Sequence, residues 1–147
     1  MYKKVNNYPK RYIPKGLTEA DKKKQKKQLD KSVADYKKGK FTKREKLESF
    51  KSKPSGYVEK VKDKLKIPMN LDKIADKLTR TDKREKEVRK GLEEIMKKGK
   101  GAYFSSGSRP NQTAFSWGLG RVASVLTGGP SRKIDKKIVD KYDIPKI

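Results

Sequence analysis

Any fold this chain adopts must be packed around a formal charge of +24, because 42 Lys and Arg face only 18 Asp and Glu in 147 residues, and there is no His. What opposes that self-repulsion is small. Leu, Ile, Val and Phe together number 29, about a fifth of the chain, at the border of compositions that stay disordered. The length allows one domain at most. A core of so few apolar residues is thin, so part of the order in this chain is expected to come from neighbours.

The same composition removes whole classes of chemistry. Without Cys or His there are no ordinary zinc sites, thiol nucleophiles, disulfides or Ser-His-Asp arrangements. A carboxylate-only metal site is opposed by the lysines among which the acids are scattered. The chain therefore reads as non-enzymatic, with no catalytic residue, no metal, no cofactor and no small-molecule substrate. It has no apolar run of the roughly 18 residues that a membrane-spanning helix needs. The start, Met1-Tyr2-Lys3-Lys4-Val5-Asn6-Asn7-Tyr8-Pro9, lacks the apolar stretch of a secretory signal.

The charge is unevenly spread. Residues 1–53 hold 19 basic and 6 acidic side chains, a net of +13, whereas Gly101–Ser131 holds only Arg109 and Arg121. This divides the chain into a basic arm over 1–53, a small helical body over 54–142 and a short tail over 143–147. The body includes a Gly/Ser-rich island at 99–131. The expected fold is mainly α: a small irregular helical body with an extended basic N-terminal arm and an extended C-terminal tail, both ordered by neighbours.

Local signals place the helices. Pro9, Pro14 and Gly16 keep residues 1–16 extended, with no helix of their own. Thr18 caps a helix running over about 18–38, with Asp21 as the far member of a capping box and Gly39 as its stop. Its apolar face is Leu29, Val33 and Tyr36. Lys22, Lys23, Lys24, Lys26 and Lys27 surround its first half, so this segment is either a solvated, fraying helix or one docked on an anionic surface. Phe41–Lys53 reads as a loop, with room for one short turn at Lys43–Ser49. Pro54-Ser55-Gly56 opens a short helix with Tyr57 or Val58, Val61 and Leu65 on one face, closed by Pro68. Asn70 caps Leu71–Leu78, and Thr81-Asp82 begins a longer helix with the stripe Val88, Leu92, Ile95 and Met96, ended by Gly99. These stripes are read as one mutual core, with a cofactor or partner groove as the lesser alternative.

In the island, Pro110 suits the first helical position, with Arg109 at the cap, and Phe115, Leu119, Val122 and Leu126 form the stripe. Gly118, Gly120, Ala123 and Ser124 are small enough for a second backbone to approach. With Trp117 they are the candidate packed, specific contact. Ser105-Ser106-Gly107-Ser108-Arg109, just before that helix, can hold an anion through amides and the Arg fork. Gly118-Leu119-Gly120 follows no predicted strand and makes no nucleotide loop. Ser131 caps a last helix with Ile134 and Ile138 on one face, and Ile144-Pro145-Lys146-Ile147 is expected to extend away. The candidate anion contacts are thus the five helix lysines and Arg109.

Gly101-Ala-Tyr-Phe-Ser-Ser-Gly-Ser-Arg-Pro-Asn-Gln-Thr113, the pair Ser116-Trp117 and the ending Ser124–Gly129 carry a likeness. So do Arg11-Tyr-Ile-Pro14, the Lys/Gln-rich run to Gln28 that follows Leu17-Thr18, and Ser49-Phe-Lys-Ser-Lys53. Over roughly residues 11–130 the chain resembles a family of small basic proteins of the nucleocytoplasmic large DNA viruses of algae and protists. The resemblance implies a setting rather than a mechanism: an icosahedral virion with an inner membrane and a packaged double-stranded DNA genome. The expected role is a minor capsid protein on the inner face of the shell, assembled in host cytoplasm. It would bridge major capsid protein, other minor capsid proteins or inner membrane lipids through the basic arm. The alternative is a nucleic-acid-binding protein without sequence specificity that condenses DNA. No zinc finger, aromatic ribonucleoprotein motif or recognition helix accompanies the charge.

Overall fold

The structure, a computed structural model, describes residues 8–53 and 55–147; the first seven residues of the expected arm, and Pro54, lie outside them. Among the described residues it is mainly helical, without strands. A 3-10 turn at Lys10–Tyr12 precedes seven α-helices: α1 (Glu19–Lys37), α2 (Gly56–Leu65), α3 (Leu71–Leu78), α4 (Asp82–Ser105), α5 (Ala114–Leu126), α6 (Pro130–Ile134) and α7 (Lys136–Tyr142). None of them is long and apolar enough to cross a membrane. The chain divides into two compact units, one of residues 1–53 with 101–113 and one of residues 54–100 with 114–147. Helix α4 therefore supplies residues up to Lys100 to the second unit and residues from Gly101 to the first.

The first unit is built around α1. Thr18 accepts the Asp21 N–H at 3.2 Å, as an N-cap should. The box closes through a third residue: Thr18 N–H donates to Ser49 Oγ at 3.2 Å, and the Ser49 N–H (3.0 Å) and hydroxyl both donate to the Asp21 carboxylate. Those two bonds hold the Asp21 pKa below its ordinary value. Lys38 is the C-cap, followed by Gly39 at φ +78°, as the sequence predicts.

The buried face of α1 is Gln25, Leu29 and Ser32, whereas Val33 is half-buried and Tyr36 exposed. Two polar residues displace the expected apolar ones because this unit's interior is hydrogen-bonded. The Gln25 amide donates to the carbonyls of Tyr12 at 3.0 Å and Ser108 at 3.4 Å. Tyr12, Leu17, Leu29, Leu47 and Tyr103 are its buried apolar residues. The expectation that residues 1–16 contain no helix fails at Lys10–Tyr12, whose turn brings Tyr12 inside.

The second unit holds the main hydrophobic core: Val61 and Leu65 of α2, Ile74 and Ala75 of α3, Val88, Leu92, Ile95 and Met96 of α4, residues of α5, Ile138 and Val139 of α7, and Ile144. Ser55 and Asn70 cap α2 and α3, each accepting an N–H three residues on. Lys66, left-handed at φ 56°, ends α2 before Pro68 can.

The end of α4 and the start of α5 differ from expectation, each for a local physical reason. Helix α4 runs through Gly99 to Ser105, because Gly99 serves a crossing rather than a stop. A Cβ there would lie 2.7 Å from the Gly118 Cα. The left-handed glycine that follows the true end is Gly107, at φ +95°, where a Cβ would press on Leu29 at 3.1 Å. Helix α5 starts at Ala114 rather than Pro110, because Asn111 turns the chain at φ 61°. With Gly118 against Met96, the buried residues of α5 are 118 and 122–126, which leaves Phe115 outside.

The single expected last helix is two. Pro130 takes the first position of α6, Gly129 is its N-cap in place of Ser131, and Asp135 separates α6 from α7 with Ile134 exposed. The tail packs on its own unit: Ile144 is buried, Arg132 Nη2 donates to its carbonyl at 2.8 Å, and Ile147 N–H donates to the Leu126 carbonyl at 2.8 Å.

Candidate anion-binding cleft

Within the first unit the loop after α1 folds against residues 101–113 through polar side chains. Arg44 Nη1 donates to the Tyr103 carbonyl at 3.0 Å and to Ser32 Oγ at 3.4 Å, and Nη2 donates to Ser108 Oγ at 2.8 Å. Its guanidinium carbon lies 3.6 Å from the Tyr103 ring centroid, a close cation–π contact. The Ser108 hydroxyl donates onward to the Arg109 carbonyl at 2.8 Å. Among the described residues no carboxylate pairs with Arg44. Burial pushes its pKa down, and Tyr103 partly opposes that.

Asn111 fixes the other end of the loop. Its carbonyl oxygen accepts the Leu47 N–H at 2.7 Å, and its amide nitrogen donates to the carbonyls of Leu47 at 3.3 Å and Phe50 at 3.0 Å. Asn tolerates the left-handed backbone this residue adopts better than most side chains do. Gln28 of α1 completes the frame by exchanging two hydrogen bonds with the Glu45 backbone, at 2.9 and 3.1 Å.

The result is an open cleft of about 560 Å³, lined by Gln25 and Gln28 of α1, residues 43–46 of the loop and residues 109–113. It carries four cations, Lys43, Arg44, Lys46 and Arg109, against one acid, Glu45. The Glu45 carboxylate is already held by Lys24 at 2.9 Å, which keeps its pKa low and raises that of Lys24. Lys43, Lys46 and Arg109 have no acidic partner among the described residues. An anion in the cleft would meet unneutralised cations, and an Arg fork in place of a point charge where Arg109 reaches it. Among the described residues no set of three or more acids gathers to hold a metal ion.

Of the residues singled out in the sequence, Arg109 lines this cleft, while Lys22, Lys23, Lys24, Lys26 and Lys27 do not. Lys22 pairs with Glu19 at 3.1 Å, Lys24 with Glu45, and Lys26 with Asp30 at 3.6 Å; Lys23 and Lys27 are exposed. The Ser105–Arg109 segment does not lead into a helix N-terminus, since α5 begins at Ala114, and its Ser108 is buried as a partner of Arg44.

Trp117, Gly118, Gly120, Ala123 and Ser124 belong to the second unit and do not share one face. Gly118, Ala123 and Ser124 are buried, and Ser124 Oγ accepts the Ser131 N–H at 3.2 Å. Trp117 is half-buried, and a Cβ on Gly120 would meet nothing. Sequence reasoning missed Lys43, Arg44, Lys46 and Asn111. The available signal was the dense Lys43-Arg44-Glu45-Lys46 run inside an otherwise unstructured loop.

No family model, curated protein or solved structure matches this chain.

Proposed function

We propose that this chain is a structural virion component, a minor capsid protein beneath the icosahedral shell that works by holding an anionic neighbour and not by catalysis. The family resemblance supplies the virion setting. The observation that carries the mode of action is the cleft of the first unit, where Lys43, Arg44, Lys46 and Arg109 stand against a single, already paired carboxylate. In this reading residues 1–53 engage the neighbour as one face of a packed unit. The partners are acidic faces of major and other minor capsid proteins or the inner membrane, where each well-placed Lys or Arg is worth about 1 kcal/mol against anionic lipid.

A second reading, nucleic-acid binding without sequence specificity, is favoured by the same cleft, since Arg and Lys beside Gln and Asn side chains suit phosphodiesters. Stripping purified particles with salt tests the first reading directly. A shell protein stays with the major capsid protein after the genome is released; departure with the genome overturns the capsid role and leaves the second reading.

A further inference from the structure

Phe41 is 69% exposed, yet it is not loose. Its ring centroid lies 5.0 Å from that of Phe104, edge to face, and 6.0 Å from that of Tyr36. Tyr36 and Phe104 are stacked nearly parallel, 6.0 Å apart at 7°. The turn that presents Phe41 is pinned as well. Gly39 takes φ +78°, Lys40 N–H donates to the Asp35 carbonyl at 2.9 Å, and the Thr42 hydroxyl donates to the Asp35 carboxylate.

Single exposed aromatics are common and need no explanation. This one is held by two other rings and flanked in sequence by Lys37, Lys38, Lys40 and Lys43, none of which has an acidic partner among the described residues. Asp35, the acid on this stretch, is already engaged by Thr42 and by Lys31 at 3.8 Å.

Chain geometry joins this platform to the cleft. Lys43 is two residues from Phe41 and lines the cleft, and two residues span at most about 7 Å between Cα atoms. One unit therefore presents a fixed aromatic face beside unneutralised cations, within the dimensions of a nucleotide. A duplex offers phosphates but keeps its base faces stacked, so Phe41 would be idle against it. A single strand uses both elements, because every unstacked base has a π-face.

We propose that this face of the first unit binds single-stranded nucleic acid, with phosphates on Lys43, Lys46 and Arg109 and an unstacked base on Phe41. The proposal rests on the nucleic-acid reading of the cleft and adds strand selectivity to it.

The test is fluorescence anisotropy of the full chain with a labelled oligo(dT) 20-mer, a hairpin duplex of equal charge, and vesicles containing one-third phosphatidylserine, at two salt concentrations. The single strand should bind about tenfold more tightly than the duplex. Phe41→Ala should weaken single-strand binding by roughly 5- to 100-fold and leave duplex binding unchanged, and Phe41→Trp should restore it. Because Phe41 is exposed, unaltered circular dichroism should accompany the loss. Replacing Lys43, Lys46 and Arg109 by Gln should weaken both substrates and reduce the single-strand salt slope by about 2.

Equal affinity for strand and duplex, or an inert Phe41→Ala, overturns the stacking proposal while the cation variants still report on the cleft. If those variants also change nothing, the cleft reading falls with it. Tighter binding to vesicles than to the single strand overturns the proposal in favour of a lipid surface.

Discussion

Residues 1–53 with 101–113 carry 20 basic and 6 acidic side chains, and the larger second unit carries 22 and 12. The apolar core belongs to the second unit, from Val61 to Ile144. The first unit is held instead by side chains that bridge long sequence separations: Gln25 to Ser108, Arg44 to Tyr103 and Ser108, Asn111 to Leu47 and Phe50. The difference shows two ways to order a polycation. Where apolar residues recur at helical spacing, burial does the work and the charges stay outside. Where they do not, neutral acceptors gather a cation inward without neutralising it, and Lys43, Lys46 and Arg109, which line the same cleft, have no acidic partner among the described residues. The unit with the poorer core is thus the one whose cleft gathers cations around a single, already paired acid.

The largest test of this contrast lies at a buried carboxylate of the apolar unit, Asp135, which pairs with Arg121 and, at 3.9 Å, with Lys98. Arg121 grips Asp135 with Nε to Oδ2 at 2.7 Å and Nη2 to Oδ1 at 2.8 Å, and the carboxylate is fully buried. Asp135 also joins α6 to α7, its carbonyl accepting the N–H groups of Ile138 and Val139 at 3.0 Å. Asp135→Ala leaves the Arg121 charge partly buried and unpaired, and should destabilise the second unit by about 3 kcal/mol in urea titration. A loss below about 1 kcal/mol would mean that apolar burial alone holds this unit, which would sharpen the contrast between the two units.

Arg44→Met is the matching test in the first unit. Met preserves much of the apolar volume but leaves Ser32, Tyr103 and Ser108 without the Arg donor. The expected loss is about 1–3 kcal/mol, read as faster amide exchange confined to residues of the first unit. An unchanged exchange pattern would show that Leu29, Leu47 and the aromatic rings suffice there, and the two units would then be held alike.

What could be read from the sequence follows the same division. The caps Thr18, Ser55 and Asn70 and the stripe through Val88, Leu92, Ile95 and Met96 were legible, because capping and 3.6-residue periodicity are local signals. Gly99 was misread as a stop, since a glycine that ends a helix and one that lets a neighbour approach look identical in sequence. The cleft was mostly illegible. Arg109 was singled out as the end of the Ser105–Arg109 segment ahead of an expected helix N-terminus, which the start of α5 at Ala114 removes, and Arg44 is one cation among 42 whose distinction is a set of partners 12 to 64 residues away. The lysines of α1 were conspicuous by density, and three of the five are paired with acids.

The smallest expected effect separates two glycines two residues apart on α5. Gly118 meets the α4 backbone, where a Cβ would lie 2.9 Å from the Met96 carbonyl oxygen, so Ala there must push the helices apart. Gly120 sits in the same helix with nothing within 4 Å of a Cβ, and its φ is not positive. There, glycine brings only the backbone entropy it loses on folding. Gly120→Ala should therefore stabilise the second unit by about 0.5–1 kcal/mol, seen as a small rise in the urea midpoint with an unchanged slope. Gly118→Ala should move the midpoint the other way. If Gly120→Ala also lowers it, the small-residue stripe packs as a whole, and the Gly99–Gly118 crossing is not the single close approach on which α5 is seated.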